Sequence, residues 1–303
     1  MNEKCNLVFD VGGTLIKYAL ISPEYKIVKR GVFQTVYDGM DSLLAVFVEI
    51  GKRWSGQYSG VGVCLPGAVL DDGKGTVCRG GSLTYMSGVP LQEKLEQIFH
   101  LPCAVENDGK AGALGEYAQG VLRGCQCGVF LGIGTAIAGG IVMEGKIWKG
   151  SHCFAAEFSY LLSNVYSFQN EGVSALLGFK CGTGKMIDML KEKQGRAFSE
   201  EMTGYELFDL ANKGDENAIQ SIRETVKPLV MHIYNLQSIL DVDRFAIGGG
   251  ISKNILLLQI IREELDKIYN LIPKGLMPPK AEIYLSKHGN DANLIGVASL
   301  IRK

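Results

Sequence analysis

Leu7-Val-Phe-Asp-Val-Gly-Gly-Thr-Leu-Ile-Lys-Tyr-Ala-Leu-Ile21 is the stretch on which the reading of this chain turns. It reads as a buried strand, a glycine turn and a second strand. Val8 and Phe9 are apolar, and Asp10 interrupts the run just before the turn. Gly12 and Gly13 permit positive φ and let the backbone approach a ligand closely. Thr14 adds a hydroxyl and Lys17 a positive charge. A carboxylate at a strand end, bare N–H groups, a hydroxyl and an ammonium together suit Mg²⁺ and phosphate oxygens. An ordinary hairpin with a Gly-Gly turn has the same local pattern, so the stretch alone leaves both readings open.

The unit recurs. Gly128-Val-Phe-Leu-Gly-Ile-Gly-Thr-Ala-Ile-Ala-Gly-Gly-Ile-Val142 is again an apolar strand, a glycine turn with a threonine, and an apolar strand. Two such units roughly 120 residues apart suggest two similar domains facing each other across a cleft, each offering a phosphate-binding hairpin. A third glycine cluster, Gly248-Gly-Gly250, closes the apolar run from Asp243. It is either a backbone approach to a ligand or a tight strand-to-helix turn.

Between these units the pattern is that of a mixed α/β fold. Ile27 to Thr35 reads as a strand. Leu43, Leu44, Phe47, Val48 and Ile50 then line one face of a helix. Ser59 to Gly67 is a strand closed by Pro66-Gly67, and Arg79 to Gly88 a polar loop. Val89-Pro90 is expected to open a helix with Leu91, Leu95, Ile98 and Phe99 buried. Pro102 to Val105 runs into Glu106-Asn-Asp-Gly109 and a helix from Lys110 to Tyr117. Polar residues between a strand's carboxyl end and a helix N-terminus suit an anionic or polar ligand. An N-cap would account for one of the three. Gly145 to Tyr160 is expected to be a loop, Gly204 to Leu240 helix-rich, Ile255 to Tyr269 a helix, Glu282 to Ser286 a strand and Ala292 to Ile301 the closing helix.

Composition narrows the function classes. The 303 residues suggest about two domains, and 47% hydrophobic with 21% charged residues excludes a disordered chain. A net charge of −1 and the lack of a basic cluster give no electrostatic case for nucleic acid or an anionic membrane. Asn2-Glu3-Lys4 leads straight into the first strand without a signal-peptide pattern, and no apolar run reaches the ~18 residues of a spanning helix. A cytoplasmic protein is expected. The eight cysteines are scattered without a Cys-x-x-Cys pair, so reduced core thiols are expected and a structural zinc is not.

Taken together, Asp10-Val-Gly-Gly-Thr14, Pro66-Gly67, Val89-Pro-Leu91, Glu106-Asn-Asp108, Gly115-Glu116, Gly134-Thr-Ala-Ile-Ala-Gly-Gly140, Ala156-Glu157, Gly248-Gly-Gly250 and Asp291 to Leu300 resemble the ROK family of sugar kinases and repressors, within the actin-like ATPase superfamily. The resemblance runs nearly the full chain. It implies two actin-like, ribonuclease H-like α/β domains with mixed sheets flanked by helices and a cleft between them. Residues 1–117, completed by a C-terminal helix over 291–303, would form the sugar and phosphate side. Residues 118–290 would form the nucleotide side and a homodimer contact. The implied cofactors are ATP and Mg²⁺. Asp10, Gly12, Gly13, Thr14, Lys17, Gly134, Thr135, Gly249 and Gly250 would contact the nucleotide, with Mg²⁺ near Asp10. Asp108 would be the general base, and Ser82, Asn107, Asp108, Glu157 and Tyr160 would face the sugar.

The sequence departs from the family pattern on the sugar side. Many members carry a histidine three residues after the glutamate and a cysteine-rich zinc loop beyond it. Here Tyr160 stands at the histidine position, and Cys181-Gly-Thr-Gly184 is no zinc loop. Leu177 lies near the place of a later sugar-binding glutamate, and Ser82 takes the place of a pocket asparagine. The resemblance thus implies an ATP-dependent kinase acting on a hexose or hexose-derivative hydroxyl, O6 first among them. The alternative is a non-catalytic sugar sensor; family repressors add an N-terminal helix-turn-helix, for which a first strand near residue 5 leaves no room.

Overall fold

The computed structural model describes residues 4–163, 165–273 and 275–301; residues 1–3, 302 and 303, at the outer limits of the expected sugar-side domain, lie outside them. The first half holds β1 (Cys5–Val11), β2 (Leu15–Ile21), β3 (Ile27–Gln34), α1 (Met40–Arg53), β4 (Tyr58–Leu65), β5 (Ala68–Val69), β6 (Thr76–Arg79), β7 (Val89–Pro90), α2 (Leu91–Phe99), β8 (Cys103–Asn107) and α3 (Asp108–Gln119). The second holds β9 (Cys127–Ile133), β10 (Ile137–Met143), β11 (Lys146–Ile147), α4 (Val165–Glu171), α5 (Leu177–Lys180), α6 (Thr183–Gln194), α7 (Gly204–Asn212), α8 (Glu216–Leu240), β12 (Arg244–Gly248), α9 (Ile255–Leu271), β13 (Ile283–Leu285) and α10 (Ala292–Leu300).

Among the described residues the sheet orders are β3-β2-β1-β4-β8 and β11-β10-β9-β12-β13. Each sheet places an antiparallel hairpin beside two parallel strands, so the repetition in the sequence is a repetition of topology. A three-stranded sheet, β5-β6-β7, carries the polar loop.

Both sheets are covered on both faces, which is why their strands are nearly continuous apolar runs. In β1, Leu7 and Phe9 pack toward α1, while Val8 packs toward α10 with Ala19, Cys64 and Val297. In β9, Val129, Leu131 and Ile133 join the large helical core of the second half, and Phe130 faces the other way with Ala113 and Ala246. The layer shared by the two sheets is the α3–α10 pair. These helices cross backbone to backbone: a Cβ on Gly115 would stand 2.1 Å from Ala292 O, and one on Gly296 would stand 1.7 Å from Ala111 O.

Several local expectations are revised. Val89-Pro90 leads into a helix as expected, with Pro90 its N-cap and Leu91 its first residue, but the two residues also pair with β6 as a short strand. Ile98 is exposed, so the buried face of α2 is narrower than expected. Phe99 still packs edge-on against Tyr58. The loop over 145–160 contains β11 and a 3-10 turn over Phe158–Tyr160. The helical stretch 204–240 splits in two, because Asp215 accepts from Ala218 N (2.8 Å) and restarts the helix after Gly214. Among the described residues no helix is long and apolar enough to cross a membrane.

Candidate active site

The site lies where the start of α3 crosses β10. A Cβ on Gly109 would stand 2.3 Å from Gly139 N, and one on Gly139 would meet the Phe158 ring and Ala156 O. Glycines at the crossing let the helix start, the strand and the 156–158 loop stack at backbone distance. This brings Asp108 of the first half and Glu157 of the second to one place.

The three polar residues of Glu106-Asn-Asp108 divide their work. Glu106 is fully buried; its Oε1 accepts from Asn107 N (2.8 Å) and its Oε2 pairs with Lys149 Nζ at 2.9 Å. Burial alone would lower the Lys149 pKa, but the Glu106 carboxylate outweighs it and raises it. Asn107 is the N-cap: its side chain accepts from Lys110 N (3.0 Å) and donates to Gly67 O (2.8 Å) and Asp108 Oδ1 (3.1 Å). Asp108 alone of the three is not fully buried. Its Oδ1 also accepts from Gly109 N at 2.7 Å, and its side chain keeps a solvent-facing edge. Burial, then the charge of Asp10, raise its pKa to about 7 against the opposing Gly109 N–H bond. A carboxyl so poised exchanges a proton readily near neutral pH.

Asp10 is buried at the end of β1, directly opposite Lys17 on β2, and the two form an ion pair at 3.2 Å. Cys64 Sγ lies 3.6 Å from Asp10 Oδ1. Neither Gly12 nor Gly13 uses the positive φ that glycine permits. The turn is instead tied by Gly12 N to Leu15 O (3.0 Å), Thr35 Oγ1 to Gly12 O (2.7 Å), Thr35 N to Thr14 O (3.0 Å) and the Tyr37 hydroxyl to Gly13 O. At Gly13 a Cβ would meet nothing nearer than Ser82 Oγ at 3.8 Å, so the backbone there is open and the Ser82 loop lies over it.

The second glycine turn, Gly134-Thr135, backs onto the start of α6, with Thr183 N donating to Gly134 O at 2.9 Å. Gly249 has φ 90, and a Cβ there would stand 2.2 Å from Ile133 O. The triplet is therefore a tight turn against the β9 end, which only glycine fits. Its last member, Gly250, is open, with Asn290 3.9 Å from a Cβ there. Gly13, Gly134 and Gly250 thus expose bare backbone suited to phosphate and nucleotide. Among the described residues no three His, Cys, Asp or Glu side chains converge on a metal site. One buried carboxylate beside an open turn fits Mg²⁺ carried in with phosphates, since that ion keeps most of its waters.

Glu157 follows Ala156, which sits in the left-handed region (φ 64), and opens the 3-10 turn. Ser159 Oγ pins that turn to Ile137 N (3.1 Å) and O (2.8 Å). Glu157 pairs with Lys110 Nζ at 2.9 Å. Tyr160 is 55% exposed and lies against Phe154, over which Arg79 stacks at 5.5 Å. Arg79, Phe154 and Lys110 did not emerge from the sequence, and Lys149 only as a charge in the 145–160 loop, because Arg79, Lys110 and Lys149 pair with residues remote in the chain. Only Lys110 carried a local signal: a lysine in the first turn of a helix opposes the helix dipole.

Paired actin-like sheets with a carboxyl-bearing helix start between them define the class of sugar-kinase folds. Within that class the chain belongs to the ROK family, whose model matches residues 7–303. An N-acetyl-D-glucosamine kinase of Vibrio atlanticus is 29% identical over 96% of this chain and 98% of its own. A glucokinase of Halalkalibacterium halodurans is 26% identical over 100% of this chain and 96% of its own. A ROK family glucokinase from Streptomyces griseus, solved with glucose and AMPPNP, shares the fold at a TM-score of 0.85 and 24% identity, covering 98% of this chain and 99% of that one.

Proposed function

We propose that the protein is an ATP-dependent sugar kinase that transfers the γ-phosphoryl group to a hexose or hexose-derivative hydroxyl, with O6 the first candidate and Asp108 the general base. The observation that carries this reading is the Asp108 carboxyl, buried yet open on one edge, with its pKa near 7 and beside the phosphate-type turn of Asp10. Bound MgATP supplies the phosphoryl group and neutralises its charge. Gly12, Gly13, Thr14, Lys17, Gly134, Thr135, Gly249 and Gly250 would seat the nucleotide, and Asp10 would lie beside the metal.

Asp108 accepts the proton of the attacking hydroxyl. Asn107 orients that carboxylate through its 3.1 Å hydrogen bond. Glu157 accepts a hydrogen bond from a sugar hydroxyl, and Ser82 and Tyr160 help close the pocket, excluding competing water. In this reading residues 1–117 with 291–303 form the sugar side and 118–290 the nucleotide side. Kinship further suggests a homodimer working in the cytoplasm on a small-molecule sugar. The test is ATP- and Mg²⁺-dependent phosphate transfer across hexoses, N-acetylated amino sugars and β-glucosides. Turnover on one of them supports the kinase; ligand binding without turnover on any would make the protein a sugar sensor.

A further inference from the structure

Glu116 lies on α3 about 12 Å along the helix from Asp108. Its side chain is fully buried. The carboxylate is filled by uncharged donors: Oε1 accepts from Ser286 Oγ (2.6 Å) and His288 N (3.0 Å), and Oε2 from Val121 N (2.9 Å) and Lys287 N (3.2 Å). A Cβ on Gly120 would stand 2.0 Å from Oε2, so glycine there lets the chain close over the carboxylate. A charge taken out of water is costly unless hydrogen bonds replace its hydration, so a carboxylate held this way fixes its donors firmly.

Three of those donors belong to Ser286, Lys287 and His288, just past β13. Ser286 Oγ in turn accepts from Gly289 N (2.8 Å), and the chain makes a 3-10 turn over Gly289–Asp291 before α10. That turn stands over the glycine triplet. Asn290 is exposed, and its amide oxygen and nitrogen lie 3.9 and 4.0 Å from the place of a Cβ on Gly250. Turn and triplet sit at the carboxyl ends of the parallel strands β13 and β12, where open α/β sheets bind ligands. An amide both donates and accepts, as a ribose hydroxyl or a base edge does, whereas phosphate oxygens only accept.

We propose that Asn290 hydrogen-bonds the nucleoside end of ATP, and that Glu116 is the positioning residue that holds its turn over Gly250. One helix then carries Asp108 toward the phosphoryl acceptor and, through Glu116, sets the seat of the donor. This rests on the kinase reading and on Gly250 facing the nucleotide.

The test is calorimetric binding of ADP, and separately of the sugar that the parent phosphorylates, to the parent, Asn290→Ala, Glu116→Gln and the double variant. Asn290→Ala should weaken ADP about fivefold, one hydrogen bond's worth. Glu116→Gln leaves an NH₂ group facing two converging donors, so the turn loosens and ADP weakens by a similar factor. Because both act through one contact, the double variant should also lose about fivefold rather than about twenty-five-fold. Sugar affinity should stay within about twofold throughout. A merely structural Glu116 would weaken ADP and sugar alike, or add its loss to that of Asn290→Ala, and either result overturns the proposal. Unchanged ADP affinity in Asn290→Ala overturns it too, as does a crystal structure of the ADP complex with the Asn290 amide beyond hydrogen-bond reach of base and ribose. If Glu116→Gln does not fold, Ser286→Ala, which removes the 2.6 Å bond, takes its place in the cycle. If the parent binds no ADP, the kinase reading fails and this proposal with it; if the parent binds ADP and the variants match it, only this proposal fails.

Discussion

Replacing Asp108 by Asn should stabilise the protein at alkaline pH while leaving it unchanged in acid. The pKa of Asp108 rises from the ordinary 3.8 to about 7 in the fold, chiefly through burial and the Asp10 charge. Between those values the native state holds a proton that the unfolded chain releases. Stability therefore falls as pH rises through that window, and the full penalty is present above pH 7. Three pKa units correspond to about 4 kcal/mol at most. The solvent-facing edge of the carboxyl and relaxation of its surroundings reduce this to about 1–2 kcal/mol. Asn keeps an oxygen for the Gly109 N–H (2.7 Å) and the Asn107 amide (3.1 Å), so no hydrogen bond is sacrificed. Urea unfolding of the ligand-free protein at pH 3 and pH 8 reads the difference directly. Asp108→Asn should gain about 1–2 kcal/mol at pH 8 and almost nothing at pH 3, below both the folded and the unfolded pKa. An equal gain at both pH values, or a loss at pH 8, would refute the account of a carboxyl strained by burial and a neighbouring charge.

Other substitutions test other parts. Asp10→Asn removes a charge that raises the Asp108 pKa, so the acid limb of kcat/KM should move to lower pH, seen in a pH–rate profile beside a weakened dependence on MgATP. Lys149→Met leaves Glu106 buried without its counter-charge and should cost about 3–5 kcal/mol in denaturant unfolding. Gly296→Ala drives a Cβ into Ala111 O at 1.7 Å, forcing α3 and α10 apart. A loss of about 3 kcal/mol or more is expected, with the Asp108 site disturbed as well.

Much of this architecture is legible in sequence because its signals are local. The two strand–glycine–strand units, the apolar faces of α1 and α8, and Asn107 at a helix start each follow from residues within one turn or one hairpin. The readings that failed were those decided by partners far away. The strand pairing of Val89-Pro90 with β6, just ahead of the helix that Pro90 caps, went unread. Gly12 and Gly13 permit positive φ, which goes unused: the turn is tied by Thr35 and Tyr37 and needs only bare backbone. The Glu157–Lys110 pair spans 47 positions and Glu106–Lys149 joins the two halves, so no periodicity announces either. The carboxylates around Asp108 are accordingly less legible than the glycine turns: they are set by ammonium partners from remote parts of the chain, whereas the turns follow from their own residues.

The central claim is that Asp108 takes the proton from a sugar hydroxyl during phosphoryl transfer. The most direct measurement is single-turnover formation of sugar phosphate from MgATP by the parent and Asp108→Asn, with sugar affinity measured on both by calorimetry. The account predicts a rate reduced by about 10²–10⁴ in Asp108→Asn with sugar affinity within a few-fold of the parent. Phosphate transfer by Asp108→Asn at the parent rate would contradict it.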